Sequence, residues 1–215
     1  MKRLYDPVEK SRELAALILR EMFTQVDDLT FTVPYLLPVL VDRFNAYNIE
    51  GTDGMDEKMI PAPSQKPHVM INPPESSEEV RVLLAEITTI VLSTTDFNCL
   101  RPYVDDIVNL CRALTMDPAG AVIIEGCSAM NGLAEAAGDQ LMHFCLGMGR
   151  SIFSAFGHRH AKVRIAGLKC LYNVLTCGLW KTSADVISAM VGFRDPNVVP
   201  IKDFYEISTK TNYFA

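Results

Sequence analysis

Positive charge is in short supply. The 215 residues carry 20 Lys and Arg against 26 Asp and Glu, a net charge of −6 at pH 7. A grip on nucleic acid or on an anionic membrane surface needs clustered Lys and Arg, so neither is expected as a partner. Basic partner surfaces are easier to accommodate. Paired cysteines are missing too. The six, at 99, 111, 127, 145, 170 and 177, form no C-x-x-C, and most stand inside apolar segments such as NLCRAL and LKCLY. They are expected to be buried free thiols in a reducing compartment, with no disulfide. Nothing reads as a signal peptide, because the opening MKRLYDPVEKSREL is charged almost throughout. The uncharged apolar stretches are too short, or too interrupted by Pro and polar residues, to span a bilayer. These absences lead to the expectation of a cytoplasmic protein. Strict apolar–polar alternation is also lacking, which argues against a sheet.

What is present is a repeat. His158 lies six residues before Arg164, and Gly167 three after it. Asp6-Pro7 precedes Arg12 at the same offsets, with Ala15 three after. Glu75 stands six before Arg81. Asp117-Pro118 stands at the same place before Ile123, with Gly126 as the small residue. Arg12, Arg81, Ile123 and Arg164 therefore mark equivalent positions, 69, 42 and 41 residues apart. Two spacings near forty are those of HEAT-type helix pairs, and 69 is one unit plus an insertion. The insertion is visible as NIEGTDGMDEKMIPAPSQKPHVMINPPE, with Pro61, Pro63, Pro67, Pro73 and Pro74. Such a segment cannot continue a helix and has little to bury.

The chemistry of this pattern is intelligible. Asp accepts hydrogen bonds from orphan N–H groups at a helix start, and Pro is tolerated in the first turn. The small residue allows helices to approach closely, and the Arg can reach an acidic group of the neighbouring repeat. Apolar residues fall on single helical faces: Leu14, Leu17, Ile18 and Met22; Val80, Leu83, Leu84, Ile87, Ile90 and Val91; Leu100, Val104, Ile107, Val108, Cys111 and Leu114. The fold class expected is all-α: an α-α superhelix, a HEAT/armadillo-like solenoid of about four helix pairs. The paired helices are placed at 6–24 with 31–46, 76–94 with 99–115, 118–137 with 139–156, and 159–177 with 182–193. As one solenoid segment over 1–215, this gives repeat 1 at about 4–46, an inserted loop at 48–75 and repeat 2 at 76–115. Repeat 3 then covers 117–156, repeat 4 covers 158–194, and a C-terminal extension covers 195–215.

Candidate sites are weak against this frame. His158-x-His160 suggests a metal, but Cys170 lies about 15 Å further along the same helix, and two more ligands are wanting. His158 fills the slot of Asp6 and Asp117 and reads as a helix-start residue, with His160 solvated in the first turn. His143 and Cys145 diverge on a helix and cannot share an ion. Gly147-Met148-Gly149-Arg150-Ser151 lacks the ending and the preceding strand of a phosphate loop. Gly126-Cys127-Ser128 lacks the strand–turn–helix of a nucleophile elbow. Asp105-Asp106 point apart on a helix and read as a solvated face. No enzyme, metal or cofactor is expected. A stack of helix pairs holds other proteins over an extended surface. Trp180 and Lys181, an aromatic–cationic pair on the fourth intra-repeat turn, are the candidate partner-binding residues. A tubulin-binding HEAT array or a generic HEAT adaptor is the alternative. The turns carrying Asp27-Asp28, Asp96 and Asp139 have the wrong sign for acidic tubulin.

GLWKTSADVISAMVGFRDPNVVPIKDFYEISTKTNYFA, residues 178–215, resembles a segment of the HEAT-repeat axonemal dynein assembly factor family. HAKVRIAGLKCLYNVLTCG before it is similar to the same family, and VGFRDPNVVPIKDFYE is the most specific part. The earlier repeats fit in spacing. The resemblance implies a cytoplasmic, non-catalytic scaffold that helps preassemble outer and inner dynein arms before their transport into motile cilia. It implies axonemal dynein chains and other assembly factors or chaperones as partners. It transfers no functional residue, because no site motif is there to match. Members of the family are much longer arrays, so this chain is expected to be a segment of a larger protein.

Overall fold

Four short turns, each closed by one side chain, set where the stacked helices begin. In the computed structural model, which describes residues 1–47 and 73–177, Asp6 accepts a hydrogen bond from the Val8 N–H at 3.0 Å. Glu75 accepts from Ser77 N–H at 3.0 Å, Asp117 from Ala119 N–H at 2.8 Å, and the Nδ1 of His158 from His160 N–H at 3.1 Å. Each bond fixes the turn two residues on, as a side-chain acceptor does wherever it competes for local backbone donors. The helix follows one residue later in every case: α1 (Glu9–Phe23), α3 (Glu78–Thr94), α6 (Gly120–Ala137) and α8 (Ala161–Thr176). These four form one layer, α1 on α3, α3 on α6 and α6 on α8. A second layer holds α2 (Val33–Arg43), α5 (Val104–Thr115) and α7 (Cys145–Phe156), preceded in the second repeat by the single turn α4 (Phe97–Leu100). The fold is an all-α helical-repeat superhelix, and the described residues contain no strand.

Two expected helices are interrupted. In place of one helix over 99–115, the chain makes α4, a 3₁₀ turn at Arg101–Tyr103 and then α5. Pro102 has no N–H to give to an α-helical ladder and sits in that tighter turn. In place of one helix from 139, a 3₁₀ turn at Gly138–Leu141 precedes α7. Gly138 ends α6 with a φ of +51°, a conformation that costs a glycine little. The expected inserted loop at 48–75 and helix at 182–193 lie, except for 73–75, outside the described residues.

The core runs unbroken between the two layers, through Leu36, Leu40, Leu84, Ile87, Leu110, Leu114, Met130, Ile152 and Val174. The close crossings between layers join α5 to α6 and α7 to α8. The small residue three after the Arg position makes both possible. A Cβ on Gly126 would stand 2.6 Å from Leu114 Cβ and 2.8 Å from its carbonyl carbon. A Cβ on Gly167 would stand 2.8 Å from Ala155 Cβ. In the second repeat the same position is Leu84, and α2 makes only a slight approach to α3.

Gly126 and Gly132 share α6 and differ in surroundings, so they separate packing from helix propensity. Gly126→Ala must displace the α5 backbone and is expected to destabilise by about 1–3 kcal/mol. At Gly132 an added Cβ meets nothing within 4 Å. Gly132→Ala should stabilise by roughly 0.5–1 kcal/mol. Urea unfolding of the two variants checks both signs.

Candidate interaction surfaces

Two of the four starting turns, at Glu75 and Asp117, carry the acids that join one repeat to the one before. Arg12 Nη1 donates to the carbonyls of Asp6 and Pro7 at 2.9 and 3.2 Å, six and five residues before it. Arg81 does so to Glu75 and Ser76 at 3.0 and 3.1 Å, and Arg164 to His158 and Arg159 at 2.8 and 2.9 Å. One edge of the guanidinium thus closes its own repeat's starting turn. The other edge reaches forward. Arg12 Nε and Nη2 each donate to Glu75 at 2.8 Å, a two-bond pair between fork and carboxylate. Arg81 Nε and Nη2 donate to Asp117 at 2.9 and 3.2 Å. The acid that starts one repeat is the acceptor for the Arg of the repeat before.

Glu75 is the most heavily used acceptor. Its side chain is 0% exposed and takes Arg12, Arg43 of α2 and the Ser77 amide together. Burial alone would raise its pKa, but Arg12, the Ser77 N–H and Arg43 more than offset this, and Glu75 sits below its ordinary value. Asp117 goes the other way. Burial pushes its carboxyl up, only partly countered by the Ala119 N–H and Arg81.

At the third junction the rung is absent on both sides. Ile123 fills the Arg position and His158 the acid position. The His158 ring lies over the start of α6, where a Cβ on Gly120 would be 2.9 Å from its Cε1. Partial burial and the neighbouring charges of His160, Arg159 and Arg164 lower the pKa of His158, which favours the neutral ring whose Nδ1 accepts the His160 amide. His160 is the exposed residue just before α8, one position earlier than the first-turn placement expected for it. Among the described residues no three His, Cys, Asp or Glu converge on a common point.

The remaining sequence candidates sit in regular structure. His143 is exposed while Cys145 is buried. Gly147 to Ser151 is the buried interior of α7, and Ser151 Oγ donates to the Met148 carbonyl. Gly126-Cys127-Ser128 is the interior of α6. Asp105 and Asp106 are exposed in the first turn of α5, where they favour the helix dipole. Burial pushes the Cys111 and Cys145 thiols up to about 12. A hydrogen bond with Cys127, then burial, raises Cys170 further. Cys99 departs from the expectation of burial and is exposed. Trp180 and Lys181 lie outside the described residues.

Exposed apolar residues lie mainly on the outer stacked helices. On α1 the stripe Leu14, Leu17, Ile18 and Met22, expected to face the core, is exposed, with Ile18 at 57%. α1 turns Ala16 and Phe23 inward against α3 instead. On α8, Ile165, Leu168 and Tyr172 are exposed. Phe31, Tyr35 and Tyr47 form further exposed aromatics around α2. Asp27, Asp28 and Asp96 lie exposed in the intra-repeat turns, a sign that would repel acidic tubulin. No helix among the described residues is long and apolar enough to cross a membrane.

Glu75→Gln keeps the shape but leaves two buried guanidinium groups facing a neutral amide. It should cost about 3–5 kcal/mol, the range for breaking a buried pair from one side. Because the folded pKa of Glu75 is depressed, its contribution is complete above the unfolded carboxylate range, near 4.5, and is lost as pH falls through the folded value. The stability gap between wild type and variant, measured by urea unfolding, should therefore narrow in acid.

A family model described as dynein axonemal assembly factor 5-like, TPR repeats, matches residues 55–192. Proteins called dynein axonemal assembly factor 5 from Homo sapiens and Mus musculus are each 27% identical over 188 residues, 87% of this chain and 20% of theirs. The protein of that name from Xenopus laevis is 23% identical over 188 residues, 87% of this chain and 19% of its own. The chain thus spans about a fifth of the length of these relatives. No solved structure matches.

Proposed function

The chain belongs to the dynein axonemal assembly factor 5-like family, and we propose that it acts as a non-catalytic scaffold in the cytoplasmic preassembly of axonemal dynein arms. Family membership over 55–192 is the observation that carries this reading. The local chemistry agrees with it. The buried ionised pairs, Arg12 and Arg43 on Glu75 and Arg81 on Asp117, join repeats, five of the six thiols are buried, and the candidate catalytic motifs lie inside helices. The first and fourth repeats expose apolar and aromatic residues, on α1, around α2 and on α8, which suit a protein partner. The partners proposed are axonemal dynein chains, together with other assembly factors or chaperones. The net charge of −6 favours basic patches on those partners.

Trp180 and Lys181 are proposed as one contact with a partner. A Trp on a turn buries a large area with few rotatable bonds, and Lys beside it adds a charge that an acidic patch would select.

The test is deletion of this segment from the protein that carries it, in ciliating cells. Affinity purification should then recover fewer dynein chains, and cilia should form without dynein arms while dynein chains fall in the cytoplasm. Normal arms with normal chain levels would defeat the reading. Trp180→Ala should weaken dynein capture and leave the thermal midpoint nearly unchanged. A large fall in the midpoint with unchanged capture would assign the ring to the core instead.

A further inference from the structure

The third junction has no ionic rung, and a groove lies beside the place where one would stand. At the second junction Arg81 and Asp117 join the starts of α3 and α6. At the third, Ile123 and His158 form no such pair, and a groove of about 670 Å³ runs between the starts of α6 and α8. Gly120 and Ala121 line it from α6, and His158, Arg159 and Lys162 line it from the start of α8. With so little side chain on the α6 wall, an extended backbone can lie close against it.

The charge beside this groove is the reverse of the chain's. From Gln140 to Cys177 the sequence has five Lys or Arg and no Asp or Glu, within a chain of net charge −6. Arg159 and Lys162 are the two of these that line the groove, and both are exposed. Arg159 Nε donates to Nε2 of His160 at 3.0 Å. Its two Nη groups, like the Nζ of Lys162, meet no acceptor among the described residues. Arg12, Arg81 and Arg164 differ, because their Nη1 groups are taken up by their own starting turns. Glu78 of α3 also lines the groove, but α6 packs between α3 and α8, and Glu78 pairs with neither cation. The anionic part of a ligand is thereby confined to the α8 side.

We propose that this groove binds an acidic peptide segment of a partner protein, with Arg159 and Lys162 holding its carboxylate or phosphate groups. A guanidinium with both Nη groups unengaged suits a two-bond contact with either anion, and Lys adds a point charge beside it. Nucleic acid fits less well, because two cations neutralise few phosphates and a firm grip needs a longer row. The groove complements the rest of the surface: basic patches of a partner meet the acidic remainder of the chain, and an acidic segment meets this groove. The site holds whether or not that partner is a dynein chain.

The experiment is fluorescence anisotropy of the 215-residue chain with labelled hexaglutamate, and with the same peptide carrying phosphoserine at its central positions. Binding should weaken as salt rises. Arg159→Gln combined with Lys162→Gln should weaken it several-fold and leave the thermal midpoint unchanged, since both side chains are exposed. Lys169→Gln removes an exposed cation about two turns further along α8 and should leave binding as it is. Ala121→Glu places a competing carboxylate at the groove and should abolish binding in a folded protein. Tighter binding of hexaglutamate assigns the site to carboxylates, and tighter binding of the phosphoserine peptide assigns it to a phosphorylated segment; either supports the proposal. No binding of either peptide, an equal loss in Lys169→Gln, or tighter binding of an oligonucleotide of the same charge would overturn it.

Discussion

The structure depends on a guanidinium that is used twice. One edge of Arg12 or Arg81 holds the carbonyls of its own repeat's opening turn, and the other edge takes the carboxylate that opens the next repeat. That carboxylate in turn holds its own backbone amide two residues on. A displacement of one repeat therefore breaks bonds in both. Buried pairs of this kind give little net stability, because desolvation costs nearly what attraction returns. What they supply is register: an Arg slipped by one helical position would face no acceptor, and its buried charge would stand unpaired. The apolar core between the layers provides the stabilisation, and the rungs decide which faces meet.

The third junction shows what remains when the rung is removed. Ile123 and His158 change together, cation to aliphatic and anion to imidazole, so no charge is left unpaired. Close packing takes over there. Gly167 lets α8 approach α7 closely, Asn131 bonds Asn173, and the His158 ring rests over Gly120. Close packing at a glycine thus serves the second and third junctions alike, and the third holds without an ionic rung.

Much of this was legible in the sequence because the ladder is local in its signals. The starting residue recurs in all four repeats, the Arg six later in three and the small residue three beyond it in three, and the structure pairs Arg12 and Arg81 with the next repeat's acid as expected. The resemblance in 178–215 likewise pointed to the family that the match over 55–192 shows. What escaped was long-range or directional. Nothing near Glu75 announces that Arg43 joins Arg12 on it. Periodicity identified the stripe Leu14, Leu17, Ile18 and Met22 as one face, but a period does not say whether a neighbour covers that face, and none of the described residues does. At Pro102 the missing N–H outweighs the apolar pattern around it, and the period alone does not show which of the two prevails. As a partner site, Trp180 and Lys181 rest on residue type and expected turn position alone.

The claim that Arg–carboxylate rungs set the stacking is tested most directly by building the missing one. Ile123→Arg and His158→Asp place a rung at the third junction in the geometry that Arg81 and Asp117 already occupy. Urea unfolding of the two singles and the double gives their coupling. The account predicts that each single destabilises, and that the double recovers at least about 1 kcal/mol of the summed loss, as coupled neighbours do. Additive losses, with no recovery in the double variant, would show that the two positions do not meet across the junction and would contradict the account.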